Sequence, residues 1–160
     1  MKNTVLELIK HNITISTMES CTGGAIANAI TNIEGASDIF EYSAVTYSNQ
    51  SKIKMGVSAE IIEKYSVYSK EVAREMAKSI ANFSNSRLGI GVTGRLNRED
   101  KNNVGGDTSS VYIAIYDSIE DSYYETKTTA KQASREDNKN DIVNLVSDML
   151  MDFVADYLSK

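Results

Sequence analysis

Ser20, Cys21 and Thr22 place a hydroxyl, a thiol and a second hydroxyl side by side, and Gly23 and Gly24 follow at once. The run lies between an alternating β-branched segment and an apolar helical pattern, so a potential nucleophile stands where a strand ends. Backbone N–H groups at a helix start have no intrahelical partners and suit a phosphate or a developing oxyanion. The same residues also fit an ordinary helix N-cap, with the glycines allowing close helix packing. A serine nucleophile needs a base. His11 is the single histidine, and its place at the end of the first helical pattern reads as a solvated surface role, against a Ser-His-Asp triad. The remaining base is a lysine whose proton affinity is lowered by burial or nearby positive charge. Lys52 is the candidate, in a polar stretch after the second strand pattern with Tyr47 just upstream, although a lysine taken at random is a solvated one.

Composition narrows the chemistry further. The 160 residues carry 17 Lys plus Arg against 22 Asp plus Glu, a formal charge of −5. That balance disfavours sequence-independent nucleic-acid binding, which depends on clustered cations. One cysteine and one histidine exclude an internal disulfide and the Cys/His ligand sets of structural zinc. With 41% apolar residues, no run of membrane-spanning length and no signal-like start, the expectation is a cytoplasmic protein folding as one domain over residues 1–160.

Elements that would position these residues follow from periodicity. A short helix ends near His11; Ile13 to Met18 alternates as a strand; Ala25 to Ile33 has helical spacing and stops at Gly35. Phe40 to Tyr47 reads as a second strand and Leu88 to Thr93 as a third. Ser58 and Ser69 look like N-caps of two intervening helices. Val111 to Tyr116 and Tyr123 to Thr129 alternate as an antiparallel hairpin, and Arg135 to Leu158 makes a long closing helix. Between them, Arg95 to Ser109 is polar and long enough to be functional or mobile. Strands alternating with helices predict an α/β fold, a three-layer α/β/α sandwich around a mixed sheet. Ligands collect at the carboxyl ends of strands in such sheets, where Ser20 to Gly24 and Thr93-Gly94 would meet.

Taken in order, Glu19-Ser20-Cys21-Thr22-Gly23-Gly24, Val45-Thr46-Tyr47-Ser48-Asn49-Gln50-Ser51-Lys52, Met55-Gly56-Val57, Ser69 with Ala73 and Met76-Ala77, and Gly91-Val92-Thr93-Gly94 resemble the C-terminal domain of the CinA (competence/damage-inducible protein) family. The resemblance implies a serine/lysine amidohydrolase that converts nicotinamide mononucleotide to nicotinate mononucleotide and ammonia, with no metal or other cofactor. It implies Ser20 as nucleophile, Lys52 as base and Tyr47 as an assisting group. It also places Cys21, Thr22, Gly23 and Gly24 around the reacting carboxamide, Ser48 and Asn49 at the pocket wall, and Thr93 and Gly94 at the third strand's end. Arg135 and Lys139 correspond to a basic pair spaced by four that would face an anion. A homo-oligomer with a small nucleotide substrate is expected, with no membrane partner. The alternative is a divergent module of the same family, non-catalytic or retuned, that binds nucleotides.

Two departures from the family pattern bear on the substrate. The third strand runs into Arg95-Leu96-Asn97-Arg98-Glu99-Asp100 and then Val104-Gly105-Gly106-Asp107, where the family has a short Ala-Gly-Pro loop. This segment is expected to select the substrate, with Arg95, Arg98 and Lys101 beside the pocket. The spacing from Lys52 to Gly56-Val57 is one residue shorter than usual, and a lysine displaced by about 1 Å would lose much of its catalytic effect.

Overall fold

The computed structural model describes residues 1–160. Its elements run α1 (Lys2–Lys10), β1 (Ile15–Glu19), α2 (Ala25–Thr31), a 3-10 turn (Ala36–Asp38), β2 (Phe40–Val45), α3 (Asn49–Lys54), α4 (Ala59–Tyr65), α5 (Lys70–Ser84), β3 (Leu88–Gly94), β4 (Ser110–Asp117), β5 (Ser122–Thr129) and α6 (Arg135–Leu158). The five strands form one sheet in the order β2-β1-β3-β4-β5. β1 pairs parallel with β2 and β3, while β4 pairs antiparallel with β3 and β5. This is the mixed sheet and α/β sandwich that the alternation of patterns predicts.

Side-chain alternation divides the core into two layers. From β3, Leu88, Ile90 and Val92 join Ile113 and Ile115 of β4 and the apolar faces of α1, α2 and α6, including Val5, Leu8, Ile26, Ile142, Val146 and Leu150. On the opposite face α5 presents Ala73, Ala77 and Ala81 toward the sheet, while Met76 and Ile80 pack with Met18 of β1. Gly89 and Gly91 make that second layer thin. A methyl group on Gly89 would lie 2.0 Å from the Ala77 carbonyl oxygen, and one on Gly91 would lie 2.2 Å from that of Ala73. The helix backbone therefore rests directly on the strand, and only glycine fits there.

The parallel strands fix the place of chemistry. β1, β2 and β3 end on the same side, and hydrogen bonds run across their ends from Thr46 N–H to the Glu19 carbonyl (2.8 Å) and from Ser20 N–H to the Val92 carbonyl (3.0 Å). The segments after Glu19, Val45 and Gly94 are thereby held against one another. No helix is long and apolar enough to cross a membrane.

Candidate active site

The Ser20 turn takes its shape from Gly23 and Gly24, which adopt left-handed backbone angles (φ 62° and 95°) that disfavour any side chain. Gly24 is the N-cap residue of α2 and has no side chain with which to cap it. The capping expected of Ser20 or Thr22 falls instead to Glu19. Its carboxylate, fully buried, accepts hydrogen bonds from the N–H groups of Gly24 (3.0 Å), Ile26 (3.2 Å) and Ala27 (2.8 Å). The hydroxyl of Ser20 is left free of capping duty.

Lys52 reaches that hydroxyl from α3. The sequence reads this segment only as a polar stretch; it is a helix, capped reciprocally by Ser48 and Ser51. Ser51 N–H bonds to Ser48 Oγ at 3.1 Å and Ser48 N–H to Ser51 Oγ at 3.0 Å. The helix turns Lys52 inward until only 2% of it is exposed. Its Nζ lies 3.0 Å from Ser20 Oγ and 2.7 Å from the Thr46 carbonyl oxygen. The shortened spacing to Gly56 has not displaced the amine from hydrogen-bonding reach of the serine. Burial brings its pKa down to about 8, against the weaker opposing pull of Cys21 and Asp100. The thiol of Cys21 is pushed the other way by burial, up to about 12, and so stays protonated and weakly nucleophilic near neutrality.

Both residues open onto a cleft of about 490 Å³, lined by Cys21, Tyr47, Ser48, Asn49, Tyr68, Gly94, Arg95, Arg98, Asp100 and Arg135 among others. Tyr47 stands at its mouth, 66% exposed. Its hydroxyl accepts a hydrogen bond from Arg135 Nη2 at 3.2 Å and bonds to neither Ser20 nor Lys52. The lysine contacts the serine directly, and Tyr47 stands beside Arg135. Ser48 and Asn49 are at the wall as expected, yet their polar atoms have structural partners: Ser48 caps α3, and Asn49 Nδ2 donates to Asn103 Oδ1 at 2.8 Å.

Several expected contacts fall elsewhere. Thr22, Gly23 and Gly24 do not line the cleft. Gly23 N–H bonds back to the Ser20 carbonyl (3.0 Å) and Gly24 N–H to Glu19, so of the turn's amides only those of Cys21 and Thr22 remain without acceptors. Thr93 is fully buried and donates its hydroxyl to the Val67 carbonyl at 2.8 Å, a strut behind the cleft, whereas its neighbour Gly94 lines it. Arg135 and Lys139 part company: Arg135 lines the cleft, while a methyl on Gly23 would meet Lys139 Nζ at 3.4 Å, behind the turn.

The segment from Arg95 to Ser109 is organised by its own charged groups. Arg95 is buried, stacks on Tyr68 at 4.3 Å and donates to the carbonyls of Gly105 (2.6 Å) and Asn103. Its two Nη groups thus hold the loop, while Arg95 also lines the cleft and its buried Nε has no hydrogen-bond partner. Asp100 accepts from Tyr68 Oη (2.5 Å), Asn103 Nδ2 (2.7 Å) and Asn102 N–H (2.9 Å). These bonds, Asn103's the strongest, hold its carboxyl down to about 2. Arg98 lines the cleft from this loop, and Lys101 does not.

Comparison with known proteins accords with this architecture. Residues 1–154 match the model of the CinA C-terminal domain. The chain belongs to that family. A competence-damage inducible protein of Clostridium botulinum is 51% identical over 88 residues, 54% of this chain and 22% of that protein. One from Clostridium perfringens is 48% identical over the same length and 21% of its own. The match therefore spans about a fifth of these CinA relatives. Among solved structures, a CinA superfamily protein of Klebsiella pneumoniae superposes with a TM-score of 0.87 at 21% identity, covering 96% of this chain and 94% of its own. One from Escherichia coli gives 0.83 at 26% identity over 94% and 88%.

Proposed function

We propose that this CinA domain is an amidohydrolase in which Ser20 is the nucleophile and Lys52 the general base, with nicotinamide mononucleotide as the substrate that family resemblance favours. The observation carrying this reading is a buried amine, free of any carboxylate partner, placed 3.0 Å from a serine hydroxyl. A neutral Lys52 donates an N–H to the Thr46 carbonyl and turns its lone pair toward Ser20 Oγ. As Oγ attacks the carboxamide carbon, Lys52 takes the hydroxyl proton. The oxyanion forms beside the N–H of Cys21, which lines the cleft and has no acceptor. Collapse breaks the C–N bond, and the lysine ammonium returns its proton to the departing nitrogen, releasing ammonia and leaving an ester on Ser20. Water, deprotonated by the same lysine, then attacks the ester, the C–Oγ bond breaks to free the acid, and the lysine ammonium returns the proton to Ser20 Oγ.

Ammonia release from nicotinamide mononucleotide by the purified protein tests this function. Turnover that vanishes in Ser20→Ala supports it; no release from the wild type at any pH between 6 and 10 would sink it.

A further inference from the structure

We infer that Glu19 is a positioning residue for the Ser20–Lys52 pair, its carboxylate holding the Ser20 turn to α2 while its carbonyl holds the strand end that steadies Lys52. The inference rests on the amidohydrolase reading for its catalytic consequence, but not for its structural one.

Glu19 joins the two halves of the site through different atoms. Its side chain gathers three amides from the first turn of α2, those of Gly24, Ile26 and Ala27. Its carbonyl oxygen accepts from Thr46 N–H at 2.8 Å, and the Thr46 carbonyl in turn accepts from Lys52 Nζ at 2.7 Å. The nucleophile follows immediately in sequence. A seven-residue helix whose cap residue is glycine has little of its own to anchor it, because its first N–H groups have neither a side-chain cap nor enough length behind them. A buried carboxylate with charge-assisted bonds to three of them supplies that anchor.

The same contacts decide which amides stay open. With Gly24, Ile26 and Ala27 taken by Glu19, and Gly23 taken by the Ser20 carbonyl, the free donors next to the nucleophile are those of Cys21 and Thr22. Of these only Cys21 lines the cleft, so an oxyanion is directed to the amide next to the serine rather than drawn along the helix start. Losing the carboxylate would let the turn relax, and small displacements of a nucleophile cost roughly a hundredfold in rate.

Cys21 is a built-in reporter, since it is the single cysteine, lies in this turn and is buried. The test compares full-length wild type with Glu19→Gln, which keeps the shape and removes the charge, and with Glu19→Asp, which keeps the charge and shortens the arm. Ammonia release from nicotinamide mononucleotide is followed across pH, and Cys21 alkylation by iodoacetamide is followed by intact mass. Glu19→Gln is expected to lower kcat roughly tenfold to a hundredfold with KM little changed, to leave the midpoint of the pH profile unmoved, and to speed alkylation by a similar factor. If Glu19→Gln does not fold, Glu19→Asp carries the same expectations in milder degree. Wild-type kcat, unchanged alkylation, or a shifted pH midpoint would each overturn the inference, the last because Glu19 would then act on the proton rather than on geometry. If the wild type releases no ammonia, the amidohydrolase reading fails by itself. Alkylation of Cys21 still decides whether Glu19 holds the turn.

Discussion

The Nζ of Lys52 lies 3.0 Å from the hydroxyl oxygen of Ser20, with the Thr46 carbonyl as its other hydrogen-bond partner. No Asp or Glu pairs with it. Burial penalises the charged form and outweighs the weaker upward pull of Cys21 and Asp100, so the amine is neutral above about pH 8. This is the state a general base requires.

That penalty makes stability depend on pH. The folded Lys52 titrates near 8 instead of at its ordinary 10.5, so between those values the unfolded chain binds more protons and stability rises with pH. Below pH 8 the full cost is present, about 3 kcal/mol by the shift alone, and it is gone by about pH 10.5. Lys52→Met should therefore gain on the wild type at pH 7 and lose that gain on moving to pH 10. Urea denaturation at the two pH values measures it, and an equal difference at both would refute the burial argument.

Cys21 sits beside Ser20 and invites confusion with the nucleophile. Its thiol is held protonated by burial, so Cys21→Ala should retain at least roughly half of the activity, whereas Ser20→Ala should lose about a thousandfold or more. Steady-state rates of the two variants separate the roles, and a Cys21→Ala protein as inactive as Ser20→Ala would move the chemistry to sulfur.

Cations at the cleft differ in how firmly the protein holds them. All three arginines line the cleft; Arg95 serves the loop carbonyls, Arg98 has no hydrogen-bond partner, and Arg135 bonds more loosely to the Leu96 carbonyl (3.4 Å) and Tyr47 (3.2 Å). For a phosphorylated substrate, Arg98→Ala and Arg135→Ala should each raise KM about tenfold, the worth of one charge-assisted contact. The unphosphorylated nucleoside should be unaffected. Arg95→Met should impair both substrates through the loop. Equal effects of Arg98→Ala and Arg135→Ala on the two substrates would remove phosphate reading from these side chains.

Gly91→Ala tests the thin layer between β3 and α5. The added methyl would lie 2.2 Å from the Ala73 carbonyl and 2.6 Å from the Ala77 nitrogen, both backbone atoms that a rotamer change cannot move. A loss of about 3 kcal/mol, at the upper end of overpacking costs, is expected in thermal or urea denaturation. A loss below about 1 kcal/mol would mean that the helix can ride outward freely.

The strands and most helices were legible because their burial follows a simple period: alternation in β4, an apolar stripe from Val72 to Ile80 in α5, and N-caps at Ser58 and Ser69 that accept from Ile61 and Val72. α3 escaped because it has six residues, shows no apolar stripe, and points a lysine inward. Glu19 escaped as a cap because caps are read from the residue beside the helix, and that residue here is Gly24. Ser20 and Lys52 were legible as a pair from their motifs. Their mutual distance depends on how far α3 turns, which spacing along the chain does not encode. Arg95 lies at the cleft as its place after the third strand suggests, but the carbonyls that bind its Nη groups come from a loop that folds back, which an arginine beside a strand end does not reveal in sequence. Ser48-x-x-Ser51, a weak capping box, was the one local signal that would have revealed α3.

The pH dependence of kcat for ammonia release from nicotinamide mononucleotide, measured on the wild type and on Ser20→Ala, puts the pair itself to the test. With Lys52 titrating near 8, the wild-type rate should climb about tenfold per pH unit below that value and level off above it, while Ser20→Ala stays at background throughout. A rate that falls as pH rises from 7 to 9 with the fold intact, or a Ser20→Ala protein that follows the wild-type curve, would contradict the assignment of Lys52 as base and Ser20 as nucleophile.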